Sequence, residues 1–327
     1  MAIKILPLTP PFKSKHGGIN TYCQNLIDLF SGNKEIVFEN IHFPKYINLP
    51  LFNKRWYNWR SLYKQVKKSN CDVAFINGYA EFVVWQQFII AKALKKKIVY
   101  APHFHPFEFL DRPLLGKLFF SVAIRPLLRW ASAIVTISKS DYNYFENLKG
   151  VKNLYMVPHH FVKDTIADGE ITKKRKDMIL FVGRNEDNKG MEYLYKIPKK
   201  FEVHCVTGGN LQRKDFIQHQ RIPAEELNQL YREAALVVIP SRYEAFSYVA
   251  LEAFTNGTPV LMSSNVKIAE YLDNEKGYSV FSYGDFDDFI SKIEKTMGMS
   301  VDIELILSKF NPDKIKRKYI EVFRSVF

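Results

Sequence analysis

The sequence predicts an α/β fold made of two Rossmann-like, doubly wound domains in series. Short apolar runs rich in Val, Ile and Ala alternate with helical patterns, which is typical of parallel strands covered by helices on both faces. The alternation stops at a polar, charged stretch over residues 163–177 and then starts again. A chain of 327 residues is long enough for two domains of this kind.

In the first half, each predicted strand is a short apolar run without strict alternation, which indicates burial on both faces. The predicted strands are residues 3–8, 71–77, 97–101 and 133–138, and residues 19–30 form a helix. These elements predict a first Rossmann-like domain over residues 1–162.

The second half repeats the pattern. Its predicted strands are residues 178–182, 202–207, 236–240 and 259–262, and its helices include 224–234 and 248–255. We therefore predict a linker over residues 163–177 and a second Rossmann-like domain over residues 178–310. Residues 311–327 read as a final helix opened by Asn311 and Pro312.

The composition excludes several classes of protein. Hydrophobic residues make up 47% of the chain and charged residues 25%, and no apolar run is long enough for a membrane-spanning helix. The apolar run at the N-terminus is too short for a signal peptide. Cys23, Cys71 and Cys205 are odd in number and lack metal-ligand spacing, so we interpret them as reduced core thiols of a cytoplasmic protein.

The net charge of +13 is unevenly distributed. Residues 1–160 contain 22 Lys and Arg against 9 Asp and Glu, whereas residues 161–327 contain 25 of each. A basic field of this kind concentrates anionic partners such as phospholipid headgroups, lipid-linked phosphates or nucleic acid. The alternative is a solubilising, Lys-rich face.

The most informative stretch begins where the third predicted strand of the second half ends. Open α/β sheets bind ligands at the carboxyl ends of their strands, and the helix that follows would begin with the N–H groups of Phe246, Ser247 and Tyr248, which suit phosphate. Glu244 and Glu252 supply carboxylates that can accept from vicinal sugar hydroxyls. Two carboxylates eight residues apart could also be solvent-facing charges.

A second group of polar residues follows the first predicted strand of the same half. That strand ends at Gly183, and Arg184 and Lys189 come next, five residues apart. Two cations in this position can neutralise a diphosphate and stabilise the charge on a departing nucleotide. A lone Arg and Lys after a strand would more often be surface charges.

Two loops of the first half also contain candidate residues. Gly17 and Gly18 lie between the first strand and the first helix, where glycine lets backbone N–H groups approach a ligand closely, although most such pairs are simple turns. His103 and His105 follow the strand at residues 97–101, where a histidine can alternatively serve only the hydrogen bonds of its loop.

The motifs together resemble the retaining GT-B glycosyltransferases of family GT4. Glu244 and Glu252 match the E-x7-E motif of that family within a P-S-x-x-E-x-F-x-x-x-x-L-E-A-x-x-x-G-x-P-V pattern, and residues 183–190 match its G-R-x-x-x-x-K-G diphosphate clamp. Ser247 departs from the family, which usually has Gly there, and Pro158, His159 and His160 stand where it has P-N-G.

The resemblance implies a role for each site residue. Glu252 would hold the ribose hydroxyls, Glu244 would contact the transferred sugar, and Arg184 and Lys189 would stabilise the leaving diphosphate. The loop with Gly17 and Gly18 would face the donor diphosphate. His103 would lie beside the donor sugar, with His105 as the reserve candidate. The final helix, residues 311–327, would pack back on the first domain.

The resemblance further implies a retaining transfer of a hexose or related sugar from a UDP- or GDP-sugar, without metal or cofactor. The acceptor would be a glycan, lipid-linked, in cell-surface polysaccharide or glycoconjugate synthesis, bound by the first domain. A UDP-sugar epimerase or hydrolase on the same fold, or a non-catalytic sugar-nucleotide-binding subunit, are the alternatives. We expect no nucleic-acid partner, because no recognisable nucleic-acid module is present.

Asp285 and Asp287 spell the D-x-D of metal-dependent GT-A enzymes. They stand before a helical pattern over residues 286–297, so we interpret Asp285 as a helix N-cap. The histidines at 103, 105, 159 and 160 are separated in sequence and lack a carboxylate partner, so a zinc site is not expected.

Two basic-aromatic stretches in the first half, residues 51–68 and 107–129, favour a peripheral membrane surface. Trp and Tyr suit the headgroup layer, and Lys and Arg attract anionic lipid. The competing interpretation places the aromatic side chains in the core and leaves only their charged neighbours in solvent.

Overall fold

The computed structural model describes residues 2–11, 18–49, 54–79, 81–104, 106, 113–161, 174–272 and 276–327. The chain divides into two compact units. The first comprises Met1–His160 and Pro312–Phe327, and the second comprises Phe161–Asn311.

The first unit is built on a six-stranded parallel sheet in the order β2-β1-β5-β6-β7-β8. Its strands are β1 (Ile3–Leu8), β2 (Ile36–Phe38), β5 (Val73–Asn77), β6 (Lys97–Ala101), β7 (Ala133–Thr136) and β8 (Leu154–Met156). Strands β3 (Tyr46–Leu49) and β4 (Lys54–Tyr57) form a separate antiparallel pair.

Helices cover both faces of this sheet. They are α1 (Gly18–Leu29), α2 (Trp59–Lys68), α3 (Phe82–Ala93), α4 (Pro113–Phe119) and α5 (Lys139–Glu146). After α4 the chain continues as a π-helical turn, Phe120–Ile124, and a 3₁₀ helix, Arg125–Trp130. Helix α1 packs on one face together with the C-terminal helix, whose Tyr319 and Phe323 are buried in the same core cluster as Tyr22.

The second unit contains a six-stranded parallel sheet in the order β11-β10-β9-β12-β13-β14. Its strands are β9 (Arg175–Val182), β10 (Glu202–Val206), β11 (Ile217–His219), β12 (Ala234–Ile239), β13 (Val260–Ser263) and β14 (Tyr278–Phe281). Counted from β9, this is the strand order 3-2-1-4-5-6 of doubly wound dinucleotide-binding folds. The prediction of two Rossmann-like domains is confirmed.

The helices of the second unit are α6 (Met191–Leu194), α7 (Ala224–Glu233), α8 (Tyr248–Thr255), α9 (Phe286–Met297) and α10 (Ile303–Lys309), and the C-terminal helix of the first unit is α11 (Pro312–Arg324). Within the described residues, no helix is both long and apolar enough to cross a bilayer.

Most predicted elements lie within a few residues of the observed ones, and β1, β6, α8 and α9 have the predicted bounds. Strand β9 begins at Arg175, whereas the linker was predicted to run to Asp177. The polar start of this strand is held by an ion pair between Arg175 and Glu202 on the neighbouring β10. Cys23, Cys71 and Cys205 are buried and unpaired, which confirms them as core thiols.

Candidate functional site

The second unit has a topological switch point between β9 and β12. The chain proceeds from β9 to β10 on one side and returns to β12 on the other, so the loops after β9 and β12 open in opposite directions. A crevice at the carboxyl ends of two such strands is where open α/β sheets bind ligands. Gly183 directly follows β9, and Ser241 closely follows β12. Both predicted motifs therefore lie at this crevice.

Gly190 fixes how the first loop packs against the second. It closes a 3₁₀ turn, Asp187–Lys189, with a φ of 69°, in the left-handed region that favours glycine. A Cβ added at Gly190 would lie 1.9 Å from the carbonyl oxygen of Pro240, at the end of β12. The backbone N–H of Arg242 also donates to the Asn188 carbonyl at 2.9 Å. This close packing brings Lys189 to the second loop.

Lys189 and Glu244 are paired at the crevice. The Nζ of Lys189 lies 3.1 Å from Oε2 of Glu244, and the same oxygen accepts a hydrogen bond from the Ser241 hydroxyl at 2.9 Å. The Glu244 backbone is fixed as well, because its N–H donates to Asn265 and its carbonyl accepts from Lys267. The Lys189 side chain is 21% exposed, so this cation can still be reached from solvent.

Arg184 has a different environment. Its side chain is 77% exposed and pairs with Glu186 at 2.8 Å. The structure therefore brings Lys189, Glu244 and Ser241 together and places Arg184 at the rim of the same loop. Gly183 lies between the strand and Arg184, and a Cβ added there would lie 3.0 Å from the Phe181 ring. The sequence did not single out Ser241, although its position three residues before Glu244 is a usable signal.

Helix α8 begins beside this pair. Ser247 is its N-cap, and the Ser247 hydroxyl accepts from the N–H of Ala250 at 3.4 Å. Phe246 is buried, with its ring 5.5 Å from that of Phe310 and 5.4 Å from that of Tyr248. The serine that replaces the usual glycine thus has a capping function, and Phe246 anchors the start of the helix.

Glu252 lies within α8, and its side chain contacts Tyr231, which is not among the predicted site residues. The hydroxyl of Tyr231, which is fully buried, donates to Oε2 of Glu252 at 2.7 Å. Burial raises the pKa of Glu252 above its ordinary value, and the hydrogen bond from Tyr231 acts in the opposite direction. Tyr231 is held in turn by Thr258, whose hydroxyl donates to the Tyr231 carbonyl. No sequence motif indicated Tyr231.

The first unit contains a buried polar cluster at the ends of β5 and β6. His103 adopts a φ of 45°, and its Nε2 lies 3.2 Å from Oδ1 of Asn77. The Asn77 amide donates to the Phe75 carbonyl at 2.9 Å, which orients its oxygen toward the histidine. The Tyr22 ring lies 4.7 Å from the His103 ring and 4.6 Å from the His159 ring. Burial lowers the pKa of His159 well below its ordinary value.

Other predicted residues lie elsewhere. Gly18 is the first residue of α1, and Gly17 and His105 lie outside the described residues. Asp285 is the N-cap of α9 and accepts from the N–H of Asp288 at 2.9 Å, which confirms that interpretation. Among the residues with described positions, no three His, Cys, Asp or Glu side chains are grouped as metal ligands.

Two family models match this chain, one over each unit. Residues 17–161 match the family described as Glycosyltransferase Family 4, and residues 162–302 match the family described as Glycosyl transferases group 1. The two matches are contiguous and include every motif described above except the C-terminal helix. The chain belongs to the family 4 glycosyltransferases of GT-B fold. The resemblance inferred from the sequence is confirmed.

Individual relatives match this glycosyltransferase over different shares of its length. An uncharacterized glycosyltransferase of Methanocaldococcus jannaschii is 39% identical over 116 residues, which is 30% of each chain. An uncharacterized 41.2 kDa protein in the cps region of Klebsiella pneumoniae is 24% identical over 298 residues, covering 80% of this chain and 81% of that protein. The longer match spans both units.

A solved structure supports the same fold. The Anabaena protein HepE in complex with UDP and glucose superposes with a TM-score of 0.71 at 14% identity, over 99% of this glycosyltransferase and 100% of HepE. At this level of identity the likeness establishes the GT-B architecture alone.

Proposed function

We propose that this glycosyltransferase transfers a sugar from a UDP- or GDP-sugar to a glycan acceptor, with retention at the anomeric carbon. The observation that carries the proposal is the Lys189–Glu244–Ser241 cluster at the switch point of the second unit. A cation and a carboxylate in one crevice match the two parts of a nucleotide sugar, the diphosphate and the hydroxylated ring. UDP and glucose in the HepE structure favour a uridine donor.

In this proposal the diphosphate replaces Glu244 as the partner of Lys189. Arg184, exposed at the rim, turns from Glu186 toward the same phosphates. The two cations then stabilise the negative charge that develops on the departing nucleotide, so the chemistry needs no metal ion. The freed Glu244 carboxylate accepts hydrogen bonds from the sugar.

Glu252, oriented by Tyr231, accepts from the ribose hydroxyls. The backbone at the start of α8, over Phe246, Ser247 and Tyr248, together with Gly183, borders the phosphates. His103 of the first unit is assigned to the transferred sugar. These roles rest on the matched motifs and on the positions of the side chains within each unit.

The acceptor in this proposal is a glycan on a lipid carrier. Two observations support it: the relative that lies in the cps region of Klebsiella pneumoniae, and the excess of Lys and Arg in the first unit. A lipid-linked diphosphate is an anionic acceptor, and a basic domain concentrates it.

The test is a transfer assay with UDP- and GDP-sugars and lipid-linked oligosaccharide acceptors, in which the anomeric configuration of the product is determined by NMR. We expect an α-linked product from an α-linked donor. Lys189→Ala should reduce turnover by two or more orders of magnitude, as expected for a group that acts on developing charge. Lys200→Ala, which removes an exposed lysine paired with Glu294, is the matched control and should leave turnover unchanged. An inverted product, or full activity of Lys189→Ala, would contradict the proposal.

A further inference from the structure

We infer that the first unit docks on an anionic lipid bilayer through one defined surface, called here the docking face. It consists of the outward sides of α2 and of the helical segment of residues 113–130, both of which pack against the largely buried α3. The inference deepens the proposed function, on which its lipid-linked acceptor rests, by naming the surface that meets the membrane.

The three elements lie on the same side of the sheet. Leu62 of α2, Phe88 of α3, and Phe120, Ile124 and Leu128 of segment 113–130 are buried in a single core cluster. Helices α1 and α11 contribute instead to the cluster on the opposite face. Helix α3 contacts both α2 and segment 113–130, so the outward sides of α2 and of this segment face the same side of the unit.

The docking face carries positive charge without compensating carboxylates. Helix α2 presents Arg60, Lys64, Lys67 and Lys68, all exposed, and these residues line an open groove of about 790 Å³ together with Trp59 and Tyr63. Neither α2, α3 nor segment 113–130 contains an Asp or Glu. Cations interleaved with amphipathic rings at a groove are suited to lipid phosphates at the headgroup level.

Segment 113–130 adds apolar side chains that face solvent. Leu114 is 82% exposed, and Leu115, Leu118 and Val122 are exposed as well. Positions 114, 118 and 122 are four residues apart and therefore follow one side of the helical segment. Exposed Arg125 and Arg129 continue the same segment and line a second groove with Lys149. An exposed apolar stripe followed by cations is typical of a helix that lies in the membrane interface.

The structure corrects the sequence-based version of this surface. Tyr57 is fully buried and donates to the Thr9 carbonyl at 2.7 Å, and Phe120 belongs to the core. The side chains of this face that can enter the headgroup layer are the exposed Leu114, Leu115, Leu118 and Val122, with Tyr63 on α2. These apolar residues favour a bilayer over nucleic acid. Both ligands present phosphates to the cations, but only a bilayer has an apolar interior that exposed leucines can enter.

The test is co-sedimentation of the whole protein with vesicles of two compositions. One is phosphatidylcholine alone, and the other also contains about 30% phosphatidylglycerol, which makes the vesicle surface strongly anionic. We expect binding to the anionic vesicles, weakened by high salt. The double variant Lys64→Glu and Lys67→Glu should lower the bound fraction at least about fivefold. Arg317→Glu with Lys318→Glu makes the same charge change on α11, at the opposite face, and should bind as the wild type does. Leu118→Ser should weaken binding, whereas Leu305→Ser on α10 should not; these leucines are 59% and 47% exposed.

Several outcomes would overturn the inference. One is equal recovery in the supernatant with both vesicle compositions. Another is an equal loss of binding in the α2 and α11 charge variants, which would show a diffuse charge effect. Tight binding to single-stranded DNA that Leu118→Ser leaves unchanged, without vesicle binding, would assign the face to nucleic acid. Thermal stabilisation by UDP is measured on each variant in parallel, so that failure of the docking face is distinguished from failure of the proposed donor site.

Discussion

At the scale of single residues, the most informative contact is the one between Tyr231 and Glu252. A carboxylate that is mostly buried loses hydration, and a single neutral hydroxyl restores only part of that loss. The raised pKa of Glu252 records this imbalance. A buried acid that is costly to ionise is consistent with a binding role, because a ligand would supply the hydrogen bonds that the protein lacks.

The change Glu252→Gln should therefore stabilise the protein while it impairs the site. The folded-state pKa of Glu252 lies above the unfolded value, so the folded state is most favoured at low pH and loses stability as pH rises from the unfolded pKa toward the folded one. Glutamine keeps the acceptor for Tyr231 and removes this pH-dependent cost. We expect the Tm at pH 7.5 to rise by about 2 °C, and affinity for the nucleotide sugar to fall at least about tenfold.

Differential scanning calorimetry at pH 4.5 and 7.5 checks the stability half of this prediction. The difference in Tm between variant and wild type should be smaller at pH 4.5, where the carboxyl is already about half protonated in the unfolded state and more so in the folded state. A variant that is less stable by the same amount at both pH values would show that the Glu252 charge is not the source of the effect.

The change Tyr231→Phe removes the hydroxyl that favours the charged form of Glu252. The pKa of Glu252 should rise further, and donor binding should weaken more at pH 5.5 than at pH 8. We expect a loss of about tenfold at the lower pH, measured by titration with the nucleotide sugar. Tyr278→Phe is the control, because it removes a tyrosine hydroxyl of the same unit that donates to the backbone carbonyl of Leu272 and not to a carboxylate. A loss of affinity that is independent of pH would reduce Tyr231 to a structural residue.

The sequence predicted Glu244, Glu252 and Lys189 as candidate site residues because each stands in a dense motif after a strand. It could not identify Tyr231 or Asn77, because their roles depend on contacts across 21 and 26 residues of chain. The sequence also did not predict the ion pair between Lys189 and Glu244, since the motifs assign the two residues to different parts of the donor.

At the scale of elements, the loop after β9 depends on its contact with the end of β12. Gly190 satisfies both a left-handed backbone and a close approach to Pro240, and the lysine before it reaches Glu244 as a result. The position of Lys189 therefore depends on how the loop after β9 packs against the end of β12.

Gly190→Ala should accordingly damage both stability and donor binding. A left-handed alanine costs about 1–2 kcal/mol, and the clash with the Pro240 carbonyl adds to it by displacing the loop. Gly257→Ala is the matched control, because Gly257 has a φ of 68° and no atom within 4 Å of an added Cβ. Urea unfolding should show a larger loss for Gly190→Ala, and only that variant should lose affinity for the donor. Equal losses in the two variants would contradict this account of the loop.

Periodicity predicted the buried strands well because they are apolar on both faces. It missed β2, β8 and β11, of three residues each, and β3, β4 and β14, of four residues each, because strands this short give little pattern. It also misplaced the start of β9, whose first residues are charged and are held in the sheet by the ion pair between Arg175 and Glu202. Charged strand ends of this kind depend on tertiary partners that sequence reasoning does not see.

At the scale of the whole molecule, the charge is divided between the two units even more sharply than between the two halves of the sequence. The C-terminal segment 312–327 belongs to the first unit, which then holds 27 Lys and Arg against 11 Asp and Glu. The second unit is slightly acidic and contains the proposed donor crevice. The fold and the resemblance to a family followed from the sequence, and the structure assigns the last helix, with its excess of Lys and Arg, to the first unit.

Chelation of divalent cations should leave turnover within about twofold of the untreated rate, because in the proposed reaction Lys189 and Arg184 supply the positive charge for the leaving group. EDTA added to the transfer assay checks this, with Asp285→Asn as a companion variant that retains an N-cap side chain. Abolition of activity by EDTA and its recovery with Mg²⁺ or Mn²⁺ would show that the protein cations are insufficient.

The most direct test of the donor site is isothermal titration of the purified protein with UDP-glucose and GDP-mannose. We predict that one of these donors binds, and that Lys189→Met and Glu252→Gln each weaken the binding at least about tenfold. Lys200→Met, on an exposed lysine of the same unit, should bind as the wild type does. Failure of both donors to bind, or wild-type affinity in the Lys189 and Glu252 variants, would contradict the assignment of this crevice as the nucleotide-sugar site.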